Sequence, residues 1–316
     1  MGRWHAAAVG HAGGRVTAVF DVDSRRAAAL AVRCSAPLAE SLERAIEACD
    51  IVHVCTPMDT HVPIVAMALS QGRSVLCEKP VTESPDALRV LLADAERRRV
   101  LLVPTHQFLF QRAVVHAQRL LPTLGGILHV DTIACTAGAA GFTPARADRV
   151  ALDILPHPLS LIERLIPGAL AKVEWHVSGR VPGEIRAAAS LDGTSFGVLV
   201  SCAGRPPVNQ LRIVAERGTI VVDLFHGFLT IDRGRPSRWQ KIVQPFTTSA
   251  TMFSAAAVNL TGRVLRRELA YPGLRELVRA FYDAVSGDGL TPILAIETMA
   301  VADSCERIRM SRNTPG

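Results

Sequence analysis

Two short apolar runs in this chain end in residues that could do chemistry. Residues 51–55 and 74–77 are long enough for buried strands and too short for helices. Between them, apolar residues recur at helical spacing, which predicts a strand–helix–strand unit. Ligands bind beyond the carboxyl ends of parallel strands, so one crevice is expected to be lined by Thr56, Pro57, His61, Glu78, Lys79 and Pro80. The alternative is that these are ordinary turn residues.

Lys79 stands out because the chain carries its positive charge almost entirely on arginine. The three lysines are Lys79, Lys172 and Lys241. Lysine offers a compact ammonium group that suits proton transfer or contact with a carbonyl oxygen, which the planar arginine fork does not imitate. The position of Lys79 at a predicted strand exit therefore favours a functional lysine over a surface turn residue.

The TPxxxH turn at residues 56–61, followed by a strand and Glu78-Lys79-Pro80, resembles the Gfo/Idh/MocA family of nicotinamide-dependent oxidoreductases. The two motifs occur in order and at the family's separation. The resemblance implies an α/β Rossmann-like parallel sheet domain, here residues 1–124, lacking its first strand. It implies an α+β domain at residues 125–316, a mainly antiparallel sheet with helices on one face, whose C-terminal helix packs back on the first domain. The cofactor implied is NAD, with NADP possible.

Composition narrows the class of protein. At 316 residues with 49% hydrophobic residues, the chain suits a two-domain α/β enzyme. No apolar run approaches the roughly 18 residues of a membrane span, and no secretory pattern opens the chain, so a cytoplasmic protein without a membrane partner is predicted. The seven cysteines form no CxxC pair, which favours buried thiols and no metal. The net charge of +6 is spread over arginines, which favours an anionic small molecule over nucleic acid.

The first residues depart from the usual dinucleotide-binding order. A helix is predicted at residues 3–9 and a strand at 16–20, whereas the fold normally begins with a strand that feeds GxGxxG into a helix. By the resemblance, Gly2 falls on the last glycine of that loop, and Arg3, Trp4 and His5 open the helix. Losing the strand would expose the edges of its neighbours. Two interpretations stay open: a start placed about ten residues too late, or a protein that has lost its phosphate cradle.

Asp21 ends the predicted second strand. An acidic residue there can accept from the ribose 2′-hydroxyl and repel a 2′-phosphate, which favours NAD over NADP. Ser24, Arg25 and Arg26 follow at once and could satisfy a phosphate. Otherwise they begin the next helix, with Asp23 or Ser24 as its cap.

A further strand is predicted at residues 100–103, and its exit carries His106. The family often has asparagine and arginine after this strand, where His106 and Phe108 stand here, so a less polar substrate is expected. His106 is a candidate substrate contact; a histidine satisfied by nearby backbone is the alternative.

Asp153 and His157 are four residues apart and share a face if the segment is helical. Pro156 and Pro158 predict that the regular helix begins only near His157, with Asp153 in its lead-in. The segment resembles the family's DxGxH, where both side chains face the nicotinamide and the histidine donates or accepts the proton. Leu155 replaces the family's glycine. The small-residue loop before it, at residues 137–144, could cover a ligand or serve only as a connection.

The remainder predicts a mainly antiparallel sheet, with strands at residues 173–177, 185–191, 195–202, 210–215, 219–224, 228–232 and 240–243. Helices are predicted at residues 252–267, 274–285 and 293–309. The sheet face without helices is expected to meet a second subunit, which gives a homo-oligomer, a dimer or tetramer.

The resemblance and the residues together predict hydride transfer between NAD(H) and a hydroxyl or carbonyl carbon of a small, sugar-like or cyclitol-like substrate. Lys79 would polarise the reacting oxygen, His157 would move the proton and Asp153 would orient the histidine and the substrate. Cofactor contacts would be Gly2, Arg3, Trp4, Asp21, Thr56, Pro57, His61, Glu78, Lys79 and Pro80. Two alternatives stay open: a cofactor-independent isomerase, lyase or cyclase, and a non-catalytic binding subunit.

Overall fold

A computed structural model describes residues 1–179, 181–233, 238–268 and 270–313. The chain forms two compact units, residues 1–107 with 273–302, and residues 108–272 with 303–316. The units change over at residue 107, earlier than the boundary expected at residue 124. The helix Arg112–Leu120 packs on strands of the second unit, which explains why it groups there.

The helices and strands follow one another along the chain in this order: α1 Gly2–His11, α2 Ser24–Cys34, α3 Leu42–Glu47, β1 Ile51–Val54, α4 His61–Ser70, β2 Ser74–Cys77, α5 Pro85–Arg98, β3 Leu102–Pro104, α6 Arg112–Leu120, β4 Ile127–Cys135, α7 Pro144–Ile154, α8 Pro156–Leu165, α9 Ala169–Lys172, β5 His176–Ser178, β6 Glu184–Leu191, β7 Thr194–Ser201, β8 Val208–Ala215, β9 Gly218–Asp223, β10 Phe228–Arg233, α10 Arg238–Leu265, α11 Leu274–Ser286 and α12 Ala295–Asn313. Short 3-10 helices lie at Met58–Thr60, Gln107–Phe110 and Leu121–Thr123.

The first unit contains a three-stranded parallel sheet in the order β1-β2-β3. Helix α4 connects β1 to β2, so the predicted strand–helix–strand unit is confirmed. Val54 pairs with Cys77, and Cys77 with Pro104, which brings the carboxyl ends of the three strands level. Aliphatic side chains of α4 and α5, including Val65 and Leu88, pack on the sheet as one buried cluster.

The strand predicted at residues 16–20 is wrong. Val19 makes one isolated parallel bridge with Leu38, in which its amide donates to the Pro37 carbonyl and its own carbonyl accepts from Ala39, both at 3.0 Å. A strand needs a ladder of successive pairs, and this segment is extended but paired only once. Asp21 therefore follows an extended segment that is not one of the strands of the three-stranded sheet.

The C-terminal part of the first unit is helical. Helix α11 packs against α1, and Met299 and Ala302 of α12 pack on the same apolar cluster as α4 and α5. Residues 273–302 are thus part of the first unit despite their distance along the chain.

The second unit is built on a seven-stranded sheet in the order β10-β9-β8-β4-β7-β6-β5. All neighbouring strands are antiparallel except β4 and β7, so the mainly antiparallel sheet is confirmed. Along β6 the buried residues Ile185, Ala187 and Ala189 alternate with exposed ones. One face of this strand is therefore open, and a subunit interface there stays a prediction.

Two details of the second unit correct the expectations from sequence. Residues 240–243 belong to helix α10, not to a strand, and β5 covers His176–Ser178 rather than residues 173–177. A short apolar run does not distinguish strand from helix, and here the run continues into a 28-residue helix. Among the helices in the described part of the chain, none combines the length and apolar character needed to cross a membrane.

Candidate active site

The start of α1 lies at the carboxyl edge of the parallel sheet. His5, in the first turn and a half of α1, has its Nε2 3.0 Å from Oε1 of Glu78, the residue that follows β2. Amides of the first helical turn have no acceptor within the helix, and the dipole adds positive potential there. Gly2 and Arg3 occupy this turn, with the Arg3 guanidinium 4.8 Å from the ring centroid of Trp4. This edge of the first unit can hold an anionic group such as a phosphate.

A chain of polar side chains runs inward from Glu78. Nδ1 of His5 lies 2.9 Å from Nδ1 of His53 in β1, and Nε2 of His53 lies 3.0 Å from the hydroxyl of Tyr282 in α11. His5 is 1% exposed. Through these hydrogen bonds the network joins α1, the exit of β2, β1 and α11.

The pKa values of the two histidines in this network are shifted in opposite directions. Burial by itself lowers the pKa of His5, but the neighbouring Cys55 and the Glu78 carboxylate outweigh it and raise the pKa to about 10. Burial and the nearby charge of His5 hold the pKa of His53 well below its usual value. Burial raises the pKa of the Tyr282 hydroxyl to about 12.

The directions of these pKa shifts indicate which side chains of the network carry a proton. A protonated His5 donates from Nε2 to the Glu78 carboxylate and from Nδ1 to His53. A neutral His53 then accepts at Nδ1 and donates from Nε2 to the oxygen of Tyr282. The pair of histidines therefore holds one excess proton, located on His5 and balanced by Glu78.

His61 has a different role from the cofactor contact expected of it. Its ring is buried, with Nδ1 2.9 Å from the Pro80 carbonyl and Nε2 2.9 Å from the Thr56 carbonyl. Because both nitrogens face backbone acceptors, the ring joins the turn after β1 to the turn after β2. His61 positions the crevice walls instead of lining the crevice.

The turn residues at this edge are accessible to different degrees. Thr56 and Pro57 are exposed, and the Thr60 hydroxyl closes their turn by donating to the Pro57 carbonyl at 2.7 Å. Lys79 and Pro80 are half-buried, joined by a cis peptide bond. The exposed turn and the half-buried lysine leave this edge open to a ligand.

Asp21 is exposed, and its Oδ1 accepts from the Asp23 amide at 2.9 Å. Asp23 caps α2, because its carboxylate accepts from the amides of Arg25 and Arg26. Helix α2 thus begins with Ser24, Arg25 and Arg26, which agrees with the interpretation that these residues start the next helix.

The exit of β3 is enclosed. The amide and hydroxyl of Thr105 both donate to the Cys77 carbonyl, at 2.8 and 3.0 Å, which fixes the backbone. His106, next along the chain, is 3% exposed. Contact of its ring with a substrate stays a prediction.

In the second unit, Asp153 lies in the last turn of α7 rather than in an irregular lead-in. Leu155 keeps helical dihedral angles (φ −51°, ψ −36°) between α7 and α8, so the chain passes from one helix to the next nearly without a break. Pro156 and Pro158 both lie in the first turn of α8, where backbone amides have no acceptor within the helix, so both prolines are tolerated. Leu155 is fully buried, and a glycine is not required by this backbone.

His157, the second residue of α8, lies beside an aromatic ring. Its centroid is 4.6 Å from that of Phe108, with the two planes 43° apart. The His157 side chain is half-buried, whereas Asp153 is exposed. Phe108, one of the two residues that depart from the family pattern, thus packs against His157 of the sequence-predicted pair.

Sequence reasoning missed the network of His5, His53 and Tyr282. One signal was present: His53 interrupts an otherwise apolar strand, and a polar residue in such a strand needs a partner. Which partner it has depends on the packing of α1 and α11, which the sequence pattern does not specify.

All seven cysteines are free thiols. Across the described residues, no three His, Cys, Asp or Glu side chains gather in a way that could hold a metal ion.

Residues 1–106 match the model of an oxidoreductase family with an NAD-binding Rossmann fold, Gfo/Idh/MocA. The chain is 39% identical to inositol 2-dehydrogenase of Rubrobacter xylanophilus over 93 residues, 28% of this chain and 27% of that protein. It is 30% identical to inositol 2-dehydrogenase of Leifsonia xyli over 205 residues, 53% of this chain and 60% of that protein. The matches thus span about a quarter and three fifths of these relatives.

The similarity of fold extends further. A levoglucosan dehydrogenase, solved in complex with NADH and levoglucosan, aligns with a TM-score of 0.79 at 15% identity, covering 99% of this chain and 94% of that one. Residues 1–106 thus match the NAD-binding part of this family, and the solved structure shows that the fold as a whole is shared.

Proposed function

We propose that this chain is an NAD-dependent dehydrogenase that interconverts a hydroxyl and a carbonyl group on a small cyclic polyol or sugar. The observation that carries the proposal is the hydrogen bond from His5 to Glu78, which brings the start of α1 to the exits of the strands. The family match and the inositol dehydrogenase relatives support this class of reaction and substrate.

The residues at this edge suit a dinucleotide. The first-turn amides of α1 would receive the pyrophosphate, and the exposed Asp21 carboxylate would accept from the ribose 2′-hydroxyl. Thr56, Pro57, Glu78 and Pro80 belong to the turns that would border the nicotinamide half. When bound, the nicotinamide ring supplies the hydride acceptor or donor.

Lys79 would contact the reacting oxygen of the substrate. Its ammonium group donates a hydrogen bond to a hydroxyl or carbonyl oxygen and stabilises negative charge that develops there. The turn after β2 is held to the turn after β1 by His61 and to α1 by the ion pair of Glu78 with His5, which limits the movement of the lysine backbone.

His157 would take up the proton that the substrate hydroxyl releases and return it in the reverse direction. Asp153, one helical turn earlier, would orient the imidazole or a substrate hydroxyl. Phe108 packs against the imidazole and presents an apolar surface beside it. This surface supports a substrate less polar on that side, with His106 as a further candidate contact.

Turnover with matched variants tests the proposal. Purified protein is incubated with NAD and a panel of inositols, inososes and anhydrosugars, following nicotinamide absorbance and substrate conversion separately. Lys79→Met and His157→Gln are expected to lower kcat about 100- to 10,000-fold. Lys172→Met and His116→Gln change exposed residues of the same types and should leave kcat unchanged.

The outcomes separate the three functions considered. Substrate conversion without a change in nicotinamide absorbance would replace the proposal with a cofactor-independent isomerase, lyase or cyclase. Absence of any conversion, with Lys79→Met and His157→Gln retaining the biological role, would favour a binding subunit. An equal loss of kcat in the two variants and in their controls would contradict the catalytic roles of Lys79 and His157.

A further inference from the structure

Helix α10 is exposed on nearly every side over its first half. Residues 242–254 are all exposed, and the helix is 28 residues long, against a usual length of about 10–14. Its later half is attached to the rest of the unit by polar contacts. The Asn259 amide and the Arg263 guanidinium both donate to the His226 carbonyl, at 2.8 and 2.9 Å.

The face turned away from these contacts carries apolar residues at alternating gaps of three and four. This seam consists of Val243, Phe246, Ala250, Phe253, Ala257, Leu260 and Val264. Such spacing is that of the a and d positions of a coiled coil, which place one apolar stripe along a partner helix. The five large seam residues are 45% to 77% exposed, and the two alanines are exposed as well.

The seam is also free of charge. No Asp, Glu, Lys, Arg or His occurs from Ile242 to Gly262 in a chain whose residues are 20% charged overall. A partner that placed charged groups on this stripe would bury them without counter-ions, which is costly. A partner surface that is itself uncharged and apolar avoids that cost, and a second copy of the same helix is such a surface.

We propose that α10 pairs antiparallel with α10 of a second copy of this chain. In antiparallel pairing each a position lies beside a d position of the other helix, and the seam alternates small residues at a with large residues at d. Phe253 then faces Ala250 of the partner subunit, Phe246 faces Ala257 of the partner subunit, and Leu260 faces Val243 of the partner subunit. Each layer combines one small and one larger side chain, which fills space evenly.

Parallel pairing does not fit the same sequence. It would stack Phe246 on Phe246 and Phe253 on Phe253 of the partner subunit, with two layers of paired alanines between and beyond them. Crowded layers would alternate with voids, and both are destabilising. The antiparallel arrangement is also isologous: the same stripe serves both chains, as the twofold symmetry of most dimers requires.

The seam is long enough to contribute much of a dimer interface. From Val243 to Val264 it extends about 32 Å at 1.5 Å per residue. Two phenylalanines about three-quarters exposed can each bury on the order of 150 Å². With the smaller seam residues, they supply a substantial part of the roughly 800 Å² per partner of a specific interface.

Sedimentation velocity of the full chain and of single variants tests the pairing. Phe246→Glu and Phe253→Glu put a carboxylate into the seam and are expected to weaken self-association at least 100-fold. Val258→Glu is the matched control, because Val258 is 74% exposed on the same helix but lies off the seam. Circular dichroism and thermal melting check that each variant folds, as expected for substitutions at exposed positions.

Orientation is tested by oxidative cross-linking of Ala250→Cys and Phe253→Cys chains, with the linked peptides identified by mass spectrometry. The proposal expects links between position 250 of one chain and position 253 of the other, in preference to links between identical positions. A monomeric wild-type protein would overturn the proposal, as would an oligomer that Phe253→Glu leaves intact or that Val258→Glu weakens equally. A monomer that binds anionic lipid vesicles through these phenylalanines would replace it with a membrane-surface role.

Discussion

Replacing His5 by glutamine should cost the first unit several kcal/mol in unfolding free energy. The glutamine amide can still donate to Glu78 but carries no charge, so the substitution isolates the buried cation. The pKa of His5 is raised from 6.5 to about 10. That difference of about 3.5 units, at about 1.4 kcal/mol per unit, gives on the order of 5 kcal/mol as an upper value. Breaking one side of a buried ion pair costs about 3–5 kcal/mol, which is the same range.

The cost should depend on pH. Because the pKa of His5 is higher in the folded state, its contribution is fully present below pH 6.5 and is lost as the pH rises from 6.5 through about 10. The loss approaches about 1.4 kcal/mol per pH unit. The pKa of His53 is lowered, so below pH 6.5 the unfolded chain binds a proton that the folded chain resists. His53 therefore removes stability as the pH falls, and the pair is most stabilising near pH 6.5.

Urea unfolding at a series of pH values, followed by fluorine NMR of fluorotryptophan-labelled protein, measures this dependence. Trp4 reports the first unit separately, because Trp175 and Trp239 belong to the second. The difference between wild type and His5→Gln should shrink by about 3 kcal/mol between pH 6.5 and 9. The difference in unfolding free energy between wild type and His53→Gln should instead change below pH 6.5. A His5→Gln difference that is constant from pH 6.5 to 9 would refute a buried cation at His5.

Three further substitutions give separate outcomes. Asp21→Ser removes the carboxylate that we propose accepts from the ribose, and it should shift the ratio of NADH to NADPH affinity about 10- to 100-fold towards NADPH, measured by titration of both dinucleotides. Lys79→Met should lower kcat far more than it raises KM, since the charge matters most in the transition state, and a pure KM effect would contradict its role. Gly14→Ala should destabilise the first unit by about 1–3 kcal/mol, because a Cβ there would lie 2.5 Å from Cε2 of Tyr282. Gly10→Ala, which meets nothing within 4 Å, is the control and should be neutral or stabilising in urea unfolding.

Local patterns predicted the central unit of the first sheet well. The apolar runs that became β1 and β2, and the helical spacing between them, are properties of contiguous residues. The segment at residues 16–20 has the same strand-like composition, yet it pairs only through Val19. Pairing depends on neighbours that are distant in sequence, so composition predicted an extended backbone but not a ladder.

The candidate site was predictable where motifs are contiguous and not where partners are distant. His61 was expected to line the crevice, and its burial between two carbonyls became visible only with the two turns in place. His5 and His53 are 48 residues apart, and their contact requires α1 to pack across β1. The seam of α10 shows the converse case: its spacing is present in the sequence, but its significance depends on which side of the helix is covered.

Titration of the protein with NADH and NADPH, followed by quenching of tryptophan fluorescence, shows whether this chain binds a dinucleotide and which one it prefers. We expect saturable binding of NADH with weaker binding of NADPH, because we propose that the start of α1 and Asp21 together hold the dinucleotide. Arg3→Glu, which places a negative charge at the start of α1, should weaken NADH binding, whereas Arg119→Glu changes an exposed arginine of the second unit and should not. A folded protein that binds neither dinucleotide would contradict the proposed dehydrogenase activity for this chain.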